Sequence, residues 1–187
     1  MKTRTKVIIA AALGAAALIW LVVHRAGTPG GGPGPSGGPS VQGEGEVVSV
    51  DLYFADAEGR RLALERRDIA YGTDAERMRR VVEELAKGPS GKDLSPTLPP
   101  STQVRGVFLS DGVVFADLSV SAAEGQPGGA WTEVLAVWSV VNTLCGNFPD
   151  ARAVQILIEG REAQTLAGHV GISRPLEPRL QLLAGEW

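Results

Sequence analysis

A tract rich in Gly and Pro divides this 187-residue chain and confines any folded core to the residues that follow it. Thirteen of the 21 residues in 26–46 are Gly or Pro, and a chain of that composition behaves as a flexible coil that buries no core. The tract has no PxxP motif with a basic flank, so we predict a linker and not a ligand for proline-binding domains. The remaining 141 residues, 47–187, are sufficient for one globular domain.

The segment before the linker is typical of a membrane anchor. Residues 7–23 carry no charge over 17 positions, and as a helix they would span about 25 Å, near the lower limit for a hydrocarbon core of ~30 Å. Lys2, Arg4 and Lys6 precede this run, and a single Arg follows it closely. The positive-inside rule then places the N-terminus in the cytoplasm. We predict a single-pass anchor over residues 1–25, with the domain on the extracytoplasmic (periplasmic) side of the cell membrane.

A cleaved signal peptide is the alternative interpretation of the same run. Ala15, Ala16 and Ala17 satisfy the small-residue rule for a cleavage site, but cleavage there would leave the apolar sequence LIWLVV at the new terminus. No Cys follows the run directly, so the sequence offers no site for lipoprotein processing. We therefore expect an anchor that is not cleaved.

Composition argues against several classes of function. Residues 47–187 contain 14 Lys/Arg and 19 Asp/Glu, so the domain has a net charge of −5 and lacks the basic stripe of a nucleic-acid-binding protein. One Cys and two His are too few for an intrachain disulfide or a Cys/His zinc site. The sequence also lacks a P-loop, a glycine-rich nucleotide-binding turn and a G-x-S-x-G motif. We expect no cofactor, no metal and no nucleic-acid partner.

Hydrophobic periodicity predicts an α+β domain. A capping box beginning at Thr73 and the pair Gly88 and Pro89 mark the ends of a first helix, and Asp-Gly at 111–112 predicts a hairpin turn. A second helix is apolar around most of its girth, so we expect it to be buried. The predicted strands cover 48–54, 61–69, 104–109, 113–118, 154–158 and 164–166, and the predicted helices cover 73–87 and 130–147. The order β-β-α-β-β-α-β-β predicts a two-layer α+β sandwich with an irregular tail from about residue 174.

The domain offers one nucleophile and one base, Cys145 and His169. Cys145 lies on the apolar stripe of the second helix, where we expect it to pack in the core as a small hydrophobic residue. His169 lies in a Gly-rich loop and is expected to hydrogen-bond to the backbone. Trp131 and Trp138 share the apolar stripe and are predicted to be core residues, whereas Trp187 at the free terminus is assigned no role.

Two acidic side chains could form a carboxylate pair for acid–base chemistry, Asp51 and Asp117. We expect Asp117 instead to cap the turn after its strand through Ser119 and nearby amides. Asn142, on the buried face of the second helix, is expected to hold a neighbouring loop. We therefore predict no catalytic residue, no cofactor-binding residue and no metal ligand.

A set of motifs along residues 47–178 resembles the GerMN domain family of sporulation and spore-germination proteins. These are the edge hairpin VVSVDLYFADAEGRRLALERRDI, the helix end ELAKGPS, the segment LPPSTQV, the strand VVFADLS, and the later stretches VNTL, VQILIEG and LAGHV. The family is similar to the ring-building modules of secretion and sporulation channels, whose core order α-β-β-α-β is present here between Thr73 and Ile158. This chain has one such domain and an anchor that lacks a lipid-modified Cys.

The resemblance implies an assembly or scaffold role in the cell envelope without known catalysis. We therefore expect a membrane-tethered, non-enzymatic module that binds an envelope protein or itself. The alternative is an envelope protein that hydrolyses or binds peptidoglycan through its acidic residues, which would require converging carboxylates or an Asp/Ser/His set in one cleft. Because the domain is acidic and shows no long exposed apolar run, we expect it to be a monomer in solution.

Overall fold

The computed structural model describes residues 46–184. Contacts divide the chain into two units, Met1–Gln42 and Gly43–Trp187, and the described residues belong to the second. The predicted anchor, most of the predicted linker and Trp187 lie outside the described residues. Within 46–184, no helix has both the length and the apolar character needed to cross a membrane.

The described residues form seven strands, three α-helices and one turn of 3₁₀ helix. In chain order they are β1 (Glu46–Asp56), β2 (Leu62–Tyr71), α1 (Asp74–Ala86), β3 (Leu94–Ser95), β4 (Val104–Ser110), β5 (Val113–Leu118), α2 (Ser121–Glu124), α3 (Ala130–Asn147), β6 (Ala153–Ile158), β7 (Arg161–Glu162) and the 3₁₀ turn Leu180–Leu182. The predicted α+β class is confirmed.

The strands form two sheets. The first has the order β2-β1-β3, and its strands are antiparallel. The second has the order β4-β5-β6-β7, in which β4 and β5 form a hairpin and β5 and β6 are parallel. Parallel neighbours need a crossover connection, and α2 and α3 supply it.

The predicted hairpin turn between β4 and β5 is confirmed. Asp111 and Gly112 both have positive φ, 52° and 80°, which is the requirement of a two-residue type I′ turn. The guanidinium of Arg152 donates to the carbonyl of Asp111 at 2.8 Å. This turn aligns Phe108 and Phe115 as cross-strand partners, with ring centroids 4.9 Å apart and planes 8° from parallel.

Helix α1 begins and ends where the sequence predicts. The side chain of Thr73 accepts from the Glu76 amide at 3.2 Å, and the Glu76 carboxylate accepts from the Thr73 amide at 2.9 Å, which completes a capping box. Gly88 has φ +86° just after the helix, the left-handed conformation that favours glycine. The buried face of the helix, Met78, Val81, Val82, Leu85 and Ala86, packs on β1, β2 and β4.

Helix α3 is buried on almost every side, as predicted from the apolar residues around most of its circumference. Eleven of its 18 residues are buried, and it contacts β1 of the first sheet, β6 of the second and helix α1. The predicted two-layer sandwich is therefore wrong: the strands form two sheets, and both long helices contact strands of each. Trp138 is in the core as predicted, but Trp131 is 49% exposed because it lies in the first turn of α3, outside the packed region.

Three details of the predicted order are wrong. The short strand β3 and the one-turn helix α2 form in segments predicted to be irregular. The predicted strand 164–166 is absent; the last strand is β7, and Thr165 makes only an isolated bridge with Gly171. The backbone turns back here because the amides of the following residues bind the carboxylate of Glu133.

Replacement of Gly112 by Ala tests the strained turn. We expect Gly112→Ala to lower the free energy of unfolding by about 1–2 kcal/mol, since an L-residue pays this cost in the left-handed region, and the added Cβ would lie 2.5 Å from Nε of Arg152. The measurement is urea denaturation of the 43–187 fragment followed by far-UV circular dichroism.

Gly128→Ala is the matched control for this substitution. Gly128 does not have positive φ, and a Cβ added there would meet no atom within 4 Å, so we expect a neutral or slightly stabilising effect. Equal loss of stability in both variants would contradict the account of the turn.

Candidate functional site

The two carboxylates considered for acid–base chemistry belong to different sheets. Asp51 is on β1, where its Oδ1 accepts from Nε of Arg66 at 2.9 Å. Asp117 is on β5, where its Oδ2 accepts from Nε of Arg105 at 3.1 Å and its Oδ1 accepts from the amide of Gly160 at 2.7 Å. The structure does not bring Asp51 and Asp117 together. The prediction that Asp117 caps the turn after its own strand is wrong. Asp117 instead holds the turn between β6 and β7.

His169 is paired with a residue that the sequence analysis overlooked. The carboxylate of Glu133, only 1% exposed, accepts the amides of Ala167, His169 and Val170 at 2.7–2.9 Å. Nδ1 of His169 lies 2.9 Å from Oε2 of the same carboxylate. The expected bond from His169 to backbone is thus replaced by a bond to a buried acid, which holds the loop around His169 in place.

The electrostatics of Glu133 follow from these contacts. Burial by itself raises the pKa of the Glu133 carboxyl, but the three backbone amides and the His169 ring favour the charged form and hold the pKa below its ordinary value. Glu133 could have been found from the sequence as the only charged residue of α3, because a charge in a buried helix must be bonded or exposed.

Asn142 and Trp138 together hold the C-terminal segment, as expected for Asn142. Oδ1 of Asn142 accepts the amide of Arg179 at 2.9 Å, and its Nδ2 donates to the Arg179 carbonyl at 3.1 Å. Nε1 of Trp138 donates to the Glu177 carbonyl at 3.1 Å, and the Arg179 guanidinium carbon lies 3.8 Å from the Trp138 ring centroid. The tail is irregular as predicted, yet it is bonded to the core.

Cys145 is partly buried against the core and forms no disulfide. Burial raises the pKa of its thiol to about 11, so the thiolate that reacts as a nucleophile is scarce at neutral pH. No hydrogen bond joins Cys145 to His169 among residues 46–184. The structure thus shows no hydrogen-bonded pair of the one candidate nucleophile and the one candidate base.

An apolar cleft of about 510 Å³, here named the Phe108 cleft, lies between α1, β4 and the loop after α3. Its lining residues are Asp74, Ala75, Arg77, Met78, Phe108, Leu109, Phe148, Pro149 and Asp150. Phe108 is 52% exposed while stacked on Phe115. An exposed aromatic side chain beside an apolar cleft is typical of a protein-interaction site.

The charged residues at the Phe108 cleft differ in whether they already have partners within the domain. Arg77 is engaged within the domain: its guanidinium carbon lies 4.9 Å from the Phe148 ring centroid, and its NH2 donates to the Asn147 carbonyl at 3.4 Å. Asp74 and Asp150 are exposed and form no ion pair with another described residue. The cleft therefore suits an apolar side chain flanked by a basic residue.

Phe108 is not among the candidate residues predicted above, although the sequence contains a signal for it. Phe108 and Phe115 are three residues from either side of the Asp-Gly turn, and such positions face each other across a two-residue hairpin. What the sequence could not show is that α1 and the loop after α3 leave Phe108 52% exposed.

The pH dependence of stability tests the role of Glu133. Because its folded-state pKa is lowered, its charge stabilises the fold above the ordinary value of about 4.5, and this stability is lost as the pH falls through the folded-state pKa. We expect Glu133→Gln to lower the free energy of unfolding by about 2–3 kcal/mol at pH 7, since one of the two oxygens that accept backbone amides becomes an NH2 donor. Urea denaturation at pH 7 and pH 3 is the measurement.

A control variant and a second pH value complete this test. The exposed Glu124 is the control, and Glu124→Gln should change stability by less than about 0.5 kcal/mol. The stability difference between the native chain and Glu133→Gln should shrink at pH 3. A difference that is the same at both pH values would show that the charge of Glu133 does not stabilise the fold.

The sequence model of one protein family, Germane, with the description "Sporulation and spore germination", matches residues 51–164. This match runs from β1 to the loop after β7 and covers more than half of the chain. No curated protein sequence gives a significant match.

Solved structures share the fold of this domain. The first GerMN domain of the sporulation protein GerM from Bacillus subtilis is similar with a TM-score of 0.55 and 23% identity, over 70% of this chain and 97% of that domain. The tandem GerMN domains of the same protein give a TM-score of 0.57 and 18% identity, over 81% of this chain and 51% of the tandem. This chain thus spans about half of the tandem.

A third solved structure, a candidate lipoprotein from Clostridium perfringens, gives a TM-score of 0.52 and 24% identity, over 70% of this chain and 87% of that one. At these identities the structural likeness establishes the fold, while the sequence match over residues 51–164 establishes the family. The chain therefore belongs to the Germane family of GerM-like domains.

Proposed function

We propose that this chain is a membrane-tethered, extracytoplasmic module of the cell envelope that binds a protein partner and catalyses no reaction. The observation that carries the proposal is the Phe108 cleft, at which Phe108 remains 52% exposed although its ring stacks on Phe115. A folded domain that leaves such a side chain in water is stabilised when a partner covers it.

The partner segment that fits the Phe108 cleft has an apolar side chain next to Lys or Arg. The apolar walls accept the first, and the carboxylates of Asp74 and Asp150 attract the second. The alternative of a peptidoglycan hydrolase has less support, because Asp51, Asp117 and His169 are bonded to three different partners.

The tether is proposed from the sequence and from one structural relative. The uncharged run 7–23 has the length and flanking charges of an anchor. A candidate lipoprotein with the same fold is a protein of the type that a lipid holds at a membrane. Whether a helix or a lipid holds the domain, it would lie at a membrane, where two-dimensional confinement raises the effective concentration of a partner.

Truncation of the exposed aromatic ring tests the partner site. We expect Phe108→Ala to weaken partner binding by about 30-fold or more, since central aromatic anchors contribute about 2 kcal/mol or more at interfaces. The measurement is photo-crosslinking in intact cells from a crosslinker at position 109, which lines the cleft, followed by mass spectrometry of the membrane fraction.

Leu64→Ala is the matched control for this experiment. Leu64 is 48% exposed, on β2 and outside the Phe108 cleft, so its loss should leave the crosslinked product unchanged. Loss of the product in both variants, or in neither, would contradict a partner site at Phe108.

Fusion reporters test the proposed topology. Alkaline phosphatase fused after Trp187 should be active, and a fluorescent protein that matures only in the cytoplasm should be dark at the same position. The reason is the excess of basic residues before the apolar run. Phosphatase activity and fluorescence are each normalised to the amount of fusion protein. A fluorescent fusion with inactive phosphatase would overturn the extracytoplasmic assignment.

A further inference from the structure

A second cleft, of about 440 Å³, lies between α3 and the C-terminal segment and differs in character from the Phe108 cleft. Arg174 and Arg179 line it, and we name it the cationic cleft; His169 also lines it, with its Nδ1 bonded to the Glu133 carboxylate. No carboxylate lines it, although the domain as a whole carries more acidic than basic residues. The two clefts share no lining residue, so this inference goes beyond the proposed function.

Arg179 is held in position by contacts that leave its charge unneutralised. Both backbone groups of Arg179 are bonded to the side chain of Asn142, and its guanidinium lies on the ring of Trp138. A guanidinium stacked on an aromatic face keeps its N–H edge available for a carboxylate. Within 46–184, neither Arg179 nor Arg174 forms an ion pair.

Hydrogen bonds also hold the other walls of the cationic cleft in place. The buried carboxylate of Glu133 fixes the loop that carries His169. The buried side chain of Gln155 donates to the Ile172 carbonyl at 2.7 Å. Leu176 exchanges two backbone hydrogen bonds with Val154, at 2.8 and 2.9 Å. Arg174 thus lies on a short exposed stretch between two anchored points, and little backbone entropy is lost when it binds.

The chemistry of the cleft defines the class of its ligand. Val134, Trp138 and Leu176 supply an apolar surface beside the cationic groups. An arginine fork binds a carboxylate through two parallel hydrogen bonds. We propose that the cationic cleft binds an acidic peptide segment in which Asp or Glu adjoins an apolar side chain.

Direct binding of a designed probe tests this proposal. The probe is an acetylated hexapeptide of alternating Leu and Glu, and its binding to the full chain in detergent micelles is measured by titration calorimetry. We expect saturable binding that is absent for the hexapeptide of alternating Leu and Gln. Arg174→Gln together with Arg179→Gln should weaken binding by about 10-fold or more, since charge-assisted hydrogen bonds are the strong ones.

Two further variants separate a specific site from general attraction. Arg161 is exposed, on β7 and outside the cationic cleft, so Arg161→Gln should leave the affinity unchanged. Arg174→Gln alone removes a side chain that has no ion pair within residues 46–184, so its effect on binding is independent of folding. Equal weakening by Arg161→Gln, or no weakening by Arg174→Gln, would overturn the proposal.

Competing ligands distinguish the acidic peptide from other anions. Glycerol phosphate represents the lipid headgroup, and a muramyl peptide represents peptidoglycan. We expect neither to displace the Leu–Glu probe at equal concentration. If either competitor displaces the probe, and this competition is lost in the Arg174→Gln variant, the cleft binds that competitor. Such a result would overturn the proposal of an acidic peptide ligand. Because these measurements do not involve Phe108, their failure would leave the proposed partner site at the Phe108 cleft intact.

Discussion

The burial of α3 is the constraint on which the rest of the domain depends. A helix enclosed on nearly all sides must satisfy the polar side chains it carries, because an unbonded polar group in the interior costs roughly 1–3 kcal/mol or more. Four of its polar side chains are bonded to remote parts of the chain. Glu133 holds the loop 167–170, Asn142 holds Arg179, Thr143 accepts the amide of Tyr53, and Asn147 bonds both backbone groups of Asp51.

These bonds explain how one helix positions two sheets and the tail. Thr143 and Asn147 attach the first sheet through β1, while the second sheet packs on α3 through β6. Glu133 and Asn142 attach the C-terminal segment, which has little regular structure of its own. Side chains of α3 thus hold an irregular segment together with a few backbone bonds, such as those between Leu176 and Val154.

The domain consequently presents two clefts of opposite character. The Phe108 cleft is apolar with carboxylates at its rim, and the cationic cleft has two arginines and a histidine around an apolar surface. The acidic residues that suggested hydrolysis serve the structure: Asp51 pairs with Arg66, and Asp117 holds the turn at Gly160. A domain whose charged side chains hold its loops and whose exposed clefts suit peptides is consistent with the binding module that we propose.

The sequence alone determined the features that depend on neighbours a few residues away. The capping box at Thr73, the Asp-Gly turn at 111–112 and the apolar girth of α3 each act within one or two turns of chain, so their signals are complete in the local sequence. The resemblance to GerMN domains likewise rests on such turn and core motifs.

Only the tertiary structure decided which side chains meet across the fold. Nothing near Glu133 in the sequence indicates that its carboxylate binds amides more than 30 residues away, and the exposure of Trp131 depends on where the packing around α3 ends. The pairing of strands into two sheets, and the clefts lined by separate segments, arise from the same cause. Contacts between distant residues are selected by the packing of the whole core, which local propensity does not encode.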